Sequence, residues 1–301
     1  MVDKKERYET VHAAAARMAA QYNDSELPMY GDALSLPSRK AIIEIIRDFQ
    51  KLLFPVYYGE KHLLKLPPEQ YAALLMEHIF DDLSAQILLT MPDTPESRRR
   101  AEGITAALLA KLPDIQRALQ KDLSANFDGD PAAHSMEEVV LSYPGFFAIF
   151  IYRIAHELYV QDVAMIPRIM TEYAHSKTGI DINPGATIGE YFFIDHGTGI
   201  VVGETAILGD NVKLYQGATL GALSPAGMRC VPGERRHPKI GNNVTIYSGS
   251  TLLGGETEIG DNVVIGGNAF LTSSVEANTT VSIKKPEMNF RGKPYTREKT
   301  L

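Results

Sequence analysis

From Ile182 onward the chain places an aliphatic residue at every sixth position: Ile182, Ile188, Ile194, Ile200, Ala206, Val212 and Ala218. The pattern lapses, resumes at Ile240, Ile246 and Leu252, and after one extra residue continues through Ile259, Ile265 and Leu271. An α-helix repeats near 3.6 residues and a single strand at 2, so neither accounts for this spacing. An ordinary β-sandwich does not predict it either. A period of six fits a β-helix in which three hexapeptides close one triangular coil, each turning one aliphatic side chain inward. Gly189, Gly209-Asp210-Asn211, Gly241-Asn242-Asn243 and Gly260-Asp261-Asn262 supply residue types that permit the corners. The strict pattern covers residues 182–221 and 240–276, which is about four coils. Prisms built from hexapeptides turn left-handed, an exception to the usual crossover rule.

The part before this repeat has a different composition. Only five of the 24 glycines precede position 179. Alanine-, leucine- and charge-rich stretches there carry helical spacing. Lys4 to Tyr22 reads as a helix with a high-propensity HAAAARMAA centre. Pro37-Ser38, Pro68 and Pro95 stand where helices begin, Pro113 or Asp114 is expected to open a further short helix, and Asp130-Pro131 another. A strongly apolar helix from Gly145 and one over Val163 to Ser176 complete the series. The expected fold class is α+β: a helical domain over residues 1–178, a left-handed parallel β-helix over 179–283, and a tail over 284–301. Between Ala218 and Ile240 a loop over residues 223–238 protrudes from the prism. Loops of that length are more often functional than idle.

Composition narrows the function. Thirty basic residues against 37 acidic ones leave a formal charge of −7, which argues against a nucleic-acid binder with a broad basic surface. The longest strictly apolar run, Phe146 to Tyr152, is too short to span a bilayer. The charged start MVDKKERYE has no apolar core of a secretory signal. A single cysteine, Cys230, excludes an intrachain disulfide framework and a cysteine-rich zinc site. The expected setting is cytoplasmic, with neither a membrane nor a nucleic acid as partner.

The prism and its loop hold two histidines, His196 and His237. A lone surface histidine is ordinarily just solvated. His196 differs in lying within Asp195-His196-Gly197-Thr198-Gly199, two residues beyond an inward isoleucine, at a corner or on an outer face. A general base needs a pKa near working pH and a carboxylate to orient it. Asp181, fifteen residues upstream and so close to one coil away, is the candidate orienter.

At these residues the chain closely resembles the serine O-acetyltransferases, within the wider hexapeptide acyltransferases. The segments that carry the resemblance are GIDINPGATIG (179–189), IDHGTGIVVGET (194–205), QGATLG (216–221) and RHPKIG (236–241). Asp130-Pro131, fifteen residues before Gly145-Phe146, and Tyr152-Arg-Ile-Ala-His156 match as well. The resemblance implies acetyl transfer from acetyl-CoA to L-serine, with His196 as general base and Asp181 as its orienting carboxylate. It implies that Asp130, Asp195, Arg236 and His237 hold the amino acid. Those residue types suit a zwitterion, because carboxylates receive its ammonium and a guanidinium its carboxylate. It also implies acetyl-CoA as co-substrate, bound in the groove between adjacent prisms of a homotrimer, with Gly221, Ala222, Ser248 and Gly249 at the matching positions. No metal is expected. Lys284, Lys285, Arg291 and Lys293 form a basic tail that reads chiefly as solvated.

Several features depart from the family pattern. The loop is longer than usual, and the tail VSIKKPEMNFRGKP lacks the Ala-Gly-x-Pro-Ala stretch common after the prism. The chain ends in Thr300-Leu301, where members that dock into O-acetylserine sulfhydrylase end in isoleucine. That partner enzyme and assembly of two trimers into a hexamer are left open. Other readings are a hexapeptide acyltransferase for another hydroxyl acceptor, a zinc prism needing three histidines, and a non-catalytic scaffold. An acyl-enzyme on Cys230 is disfavoured because no histidine adjoins it.

Overall fold

The computed structural model describes residues 3–24, 26–30, 36–223 and 234–284. Cys230, most of the loop over 223–238, Lys285, Arg291, Lys293 and Thr300-Leu301 lie outside the described residues. The helices are α1 (Lys4–Asp24), α2 (Arg39–Leu53), α3 (Pro55–Tyr58), α4 (Pro68–Leu88), α5 (Pro95–Gly129), α6 (Met136–Ser142), α7 (Pro144–Tyr159) and α8 (Ile166–Thr178). Every described strand follows them, so the chain is α+β in the expected order. Packing divides it into two compact units, Met1–Arg117 with Phe150–Tyr173, and Ala118–Ile149 with Ala174–Leu301. The change from helix to strand and the division by packing therefore fall at different places.

In the first unit the expected starts of α2 and α4 are present. Ser38 caps α2 by accepting the Ala41 N–H at 3.3 Å, and Pro68 opens α4. Helix α2 buries Ile42, Ile45, Ile46, Phe49, Leu52 and Leu53 on one stripe. Helix α4 buries Tyr71, Leu75, Ile79, Leu83 and Ile87, one residue in every four, the spacing of a ridge that packs on a neighbouring helix. The Tyr71 hydroxyl donates to the Lys51 carbonyl at 3.0 Å and ties α4 to the end of α2. Pro113 opens no helix. It lies inside α5, which runs through 35 residues. A proline removes one N–H donor, and the buried Leu108, Leu112 and Ile115 anchor the helix on both sides of that gap. No single helix among the described residues is long and apolar enough to cross a membrane.

The second unit is a triangular parallel β-solenoid. Its first face stacks β1 (Asp181–Ile182), β4 (Val201–Val202), β7 (Thr219–Gly221), β10 (Thr251–Leu253) and β13 (Phe270–Leu271). The second stacks β2 (Thr187–Ile188), β5 (Ile207–Leu208), β8 (Lys239–Ile240) and β11 (Glu258–Ile259). The third stacks β3 (Phe193–Asp195), β6 (Lys213–Tyr215), β9 (Thr245–Ile246), β12 (Val264–Ile265) and β14 (Thr280–Val281). Two faces thus hold five rungs, one more than the expected coil count: the first face reaches five within the strict repeat, and the third gains its fifth from β14, which lies beyond it.

Register corrects the period-six reading in one place. Ile182 stacks on Val202, not on Ile200, and Val202 on Leu220. Ile194 stacks on Leu214 and Leu214 on Ile246. The inward column therefore advances by eight residues from Ile194 to Val202, and two extra residues sit in the corner over residues 195–199. Ile200, Ala206, Val212 and Ala218 are buried too, as a second column two positions earlier. The extra residue between Leu252 and Ile259 is real, since Ile240 stacks on Ile259.

Residues 118–149 pack with this solenoid. Asp122 Oδ1 accepts the Phe192 N–H at 2.9 Å, and Asn126 Nδ2 donates to the Phe192 carbonyl at 3.2 Å. Asp130-Pro131, expected to start a helix, starts a turn in which Asp130 Oδ1 accepts the Ala132 N–H at 2.8 Å. The next helix begins only at Met136, capped by Ser135. The short aspartate side chain bonds two residues ahead, which favours a turn over a helix.

Candidate functional site

The widened corner between the third and first faces carries His196. Its backbone lies in the left-handed region at φ 57°, followed by Gly197 at 83° and Gly199 at 80°. That conformation is uncommon for a residue with a side chain. It turns His196 outward, with 70% of the side chain exposed. The turn is held by the Gly199 N–H donating to the Gly179 carbonyl at 2.8 Å and the Gly217 N–H to the Thr198 carbonyl at 3.0 Å. Asp195 Oδ1 lies 3.5 Å from His196 Nδ1. Asp181, at the start of β1, stacks on Val201, and its carboxylate lies within 4.8 Å of a ring nitrogen of His175.

Asp130 reaches this corner from the end of α5. Tyr143 donates its hydroxyl to Asp130 Oδ2 at 2.6 Å while Ala132 N–H serves Oδ1. These two bonds, the hydroxyl foremost, hold the Asp130 carboxyl below the ordinary aspartate range, and the charge of His196 adds to the effect. The same bond drives the Tyr143 phenol up to about 12. Tyr215 pairs with Asp195 across β3 and β6, and its ring stacks on Tyr247 with centroids 5.0 Å apart. Burial, then Tyr247 and the two carboxylates Asp195 and Asp130, push the Tyr215 phenol up. The corner therefore gathers the carboxylates of Asp130 and Asp195, the His196 imidazole and the phenols of Tyr143 and Tyr215. That set can accept an ammonium group and a hydroxyl proton.

Arg236 and His237 lie elsewhere. They sit where the chain leaves the first face, beside Gly203, Glu204 and Thr205. The Thr205 hydroxyl accepts the backbone N–H of Arg236 at 2.8 Å and of His237 at 3.1 Å. His237 Nδ1 in turn accepts the Thr205 N–H at 3.1 Å and lies 2.8 Å from the Thr205 hydroxyl. An accepting Nδ1 leaves the ring proton on Nε2. Burial and then the Arg236 charge lower the His237 pKa, against a smaller opposing effect of Glu204. The Arg236 guanidinium donates to Glu204 Oε2 at 2.8 Å.

The ten expected site residues thus fall into two groups. His196, Asp195, Asp181, Asp130, Ser248 and Gly249 gather where the chain enters the first face. Gly221, Ala222, Arg236 and His237 gather where it leaves. From Gly199 to Gly203 is four residues of extended chain, roughly 13 Å. Tyr143, Glu204, Thr205 and Gly203 complete the two groups and were not singled out from the sequence. Glu204 and Thr205 lie in the IDHGTGIVVGET segment. Tyr143 had no local signal beyond its place before Pro144.

The family described as serine acetyltransferase, N-terminal, matches residues 70–150. A plasmid-encoded serine acetyltransferase of Synechococcus elongatus is 40% identical over 261 residues, covering 82% of each chain. Among solved structures, Entamoeba histolytica serine acetyltransferase isoform 3, in complex with cysteine, superposes with a TM-score of 0.74 at 31% identity over 92% of this chain and 93% of that one. A serine acetyltransferase in complex with CoA superposes at 0.52 and 26% identity over 79% and 96%. A relative this similar along so much of both chains, on a solenoid with this corner, establishes that the chain belongs to the serine acetyltransferase family.

Proposed function

We propose that the chain transfers the acetyl group of acetyl-CoA directly to the hydroxyl of L-serine, yielding O-acetyl-L-serine and CoA as the first step of cysteine biosynthesis. The site is completed by a neighbouring copy. The observation that carries this reading is the division of the site residues between the two edges of the first face. A serine molecule is too short to bridge roughly 13 Å. A ring of copies meeting edge to edge, a heterologous interface that closes on itself, brings the entering edge of one prism to the leaving edge of the next. The resemblance to the family implies a homotrimer for that ring.

In that arrangement the ammonium of serine rests on Asp130 and Asp195. Its carboxylate takes the Arg236 fork of the adjoining copy, and the Nε2–H of His237 there adds a donor. Neutral His196 removes the Oγ proton as the oxygen attacks the thioester carbonyl. Asp181, with Asp195 beside Nδ1, stabilises the imidazolium. The tetrahedral intermediate collapses, the C–S bond breaks, and the imidazolium proton passes to the departing thiolate. The small residues Gly221, Ala222, Ser248 and Gly249 line the groove for the pantetheine arm.

Release of CoA thiol with L-serine tests this. His196→Asn and Arg236→Ala each lower kcat/KM by about 100-fold or more. Co-expressed and co-assembled, the two variants restore up to about a quarter of the sites, because one interface arrangement in four unites two intact edges. Recovery absent from mixed trimers places both groups in one chain. Thiol release untouched by His196→Asn removes that residue as base.

A further inference from the structure

We infer that Tyr143 is a positioning residue for the acceptor site: its hydroxyl clamps the Asp130 carboxylate in the orientation that receives the ammonium group of the amino acid. The inference rests on the reading of Asp130 given above.

Both oxygens of Asp130 are occupied by fixed donors, Oδ2 by the Tyr143 hydroxyl at 2.6 Å and Oδ1 by the Ala132 N–H at 2.8 Å. Two anchors fix the plane of a carboxylate that would otherwise rotate freely. Each oxygen keeps a second lone pair for a ligand. Tyr143 is itself held. It ends α6 in extended geometry at φ −81° and ψ 119°, the region to which a following proline confines it. Two residues on, Gly145 lies so close to β3 that a Cβ there would stand 2.5 Å from the Ile194 carbonyl oxygen. The clamp therefore ties Asp130 to the strand that leads into Asp195 and His196.

The pair is crowded by other ionisable groups. Glu138 from α6 and Asp195 from the widened corner act electrostatically on the Tyr143 phenol, His196 acts on Asp130, and Asp130 acts on Tyr215 of β6. A donor hydroxyl on Oδ2 favours the charged form of the carboxyl and so keeps Asp130 ionised.

Steady-state kinetics on the full-length protein test the assignment. Tyr143→Phe raises KM for L-serine about tenfold, leaves KM for acetyl-CoA unchanged, and holds kcat within about twofold. In the same variant the acid limb of the serine KM profile moves to higher pH. Asp130→Asn raises serine KM at least as much, and adding Tyr143→Phe to it has no further effect, since the hydroxyl acts only through the carboxylate. Replacing Tyr143 with 3-fluorotyrosine keeps the shape, strengthens the donor and moves the acid limb to lower pH. An unchanged serine KM and pH profile in Tyr143→Phe, beside a raised KM in Asp130→Asn, overturns the role of Tyr143. An unchanged KM in Asp130→Asn overturns the reading of Asp130 instead. If Tyr143→Phe does not fold, the fluorotyrosine shift decides alone, and its absence overturns the inference.

Discussion

Thr205 holds His237 from two sides: its N–H and its hydroxyl lie 3.1 Å and 2.8 Å from the same Nδ1 atom. Its hydroxyl oxygen also accepts the N–H groups of Arg236 and His237. One threonine therefore sets the tautomer of the ring and the path of the chain as it rejoins the prism after the loop.

This arrangement makes stability depend on pH in a defined direction. The His237 pKa is lowered in the folded chain, so near the ordinary histidine value the unfolded chain binds more protons. The contribution of neutral His237 is fully present above about pH 6.5 and is lost as pH falls below it. Thermal melts between about pH 7.5 and 5.5 show this loss. The slope is shallower in His237→Gln.

Thr205→Val keeps the shape and removes the hydroxyl. Two backbone N–H groups then lose their acceptor, at a cost of about 1–3 kcal/mol. The expected outcome is a lower melting temperature together with a raised KM for serine, because Arg236 and His237 lose their common anchor.

Gly203 lies directly under the His237 ring. A Cβ there would stand 1.9 Å from Cδ2 and 2.2 Å from Nε2. Gly203→Ala must push the ring out of its seat, costing about 1–3 kcal/mol. Denaturant unfolding measures that cost, and kcat/KM for serine falls with it.

Away from the site, Asn243, Asn262 and Asn278 form a ladder along the corner between the second and third faces. Asn243 Nδ2 donates to Asn262 Oδ1 at 3.1 Å, and Asn262 Nδ2 to Asn278 Oδ1 at 3.0 Å. All three residues have positive φ near 60°, which asparagine tolerates better than alanine does. Asn262→Ala loses both rungs and adds backbone strain. It destabilises by about 1–3 kcal/mol in a denaturant titration, with serine and acetyl-CoA KM values unchanged.

Much of this protein is legible in its sequence. Thirteen aliphatic residues in a six-residue rhythm leave a triangular solenoid as the natural solution. Ser38 and Pro68 mark helix starts by rules that act within one turn. Part of the site's chemistry, a histidine flanked by Asp195 and two glycines, could be read from one short segment. The two-residue slip at that same corner could not. Ile200 and Val202 are both aliphatic and both buried, so counting by sixes passes from one inward column to its neighbour without a visible fault. Only strand register, which depends on hydrogen bonds between coils, separates them. Tyr143 and Asp130 lie 13 residues apart and Thr205 and His237 lie 32 apart. Such contacts depend on how intervening turns close, and no local periodicity encodes that. The edge to which each site residue belongs is likewise a property of the closed triangle. Sequence supplied the side chains of the site, and tertiary structure decided that one chain holds them on two edges.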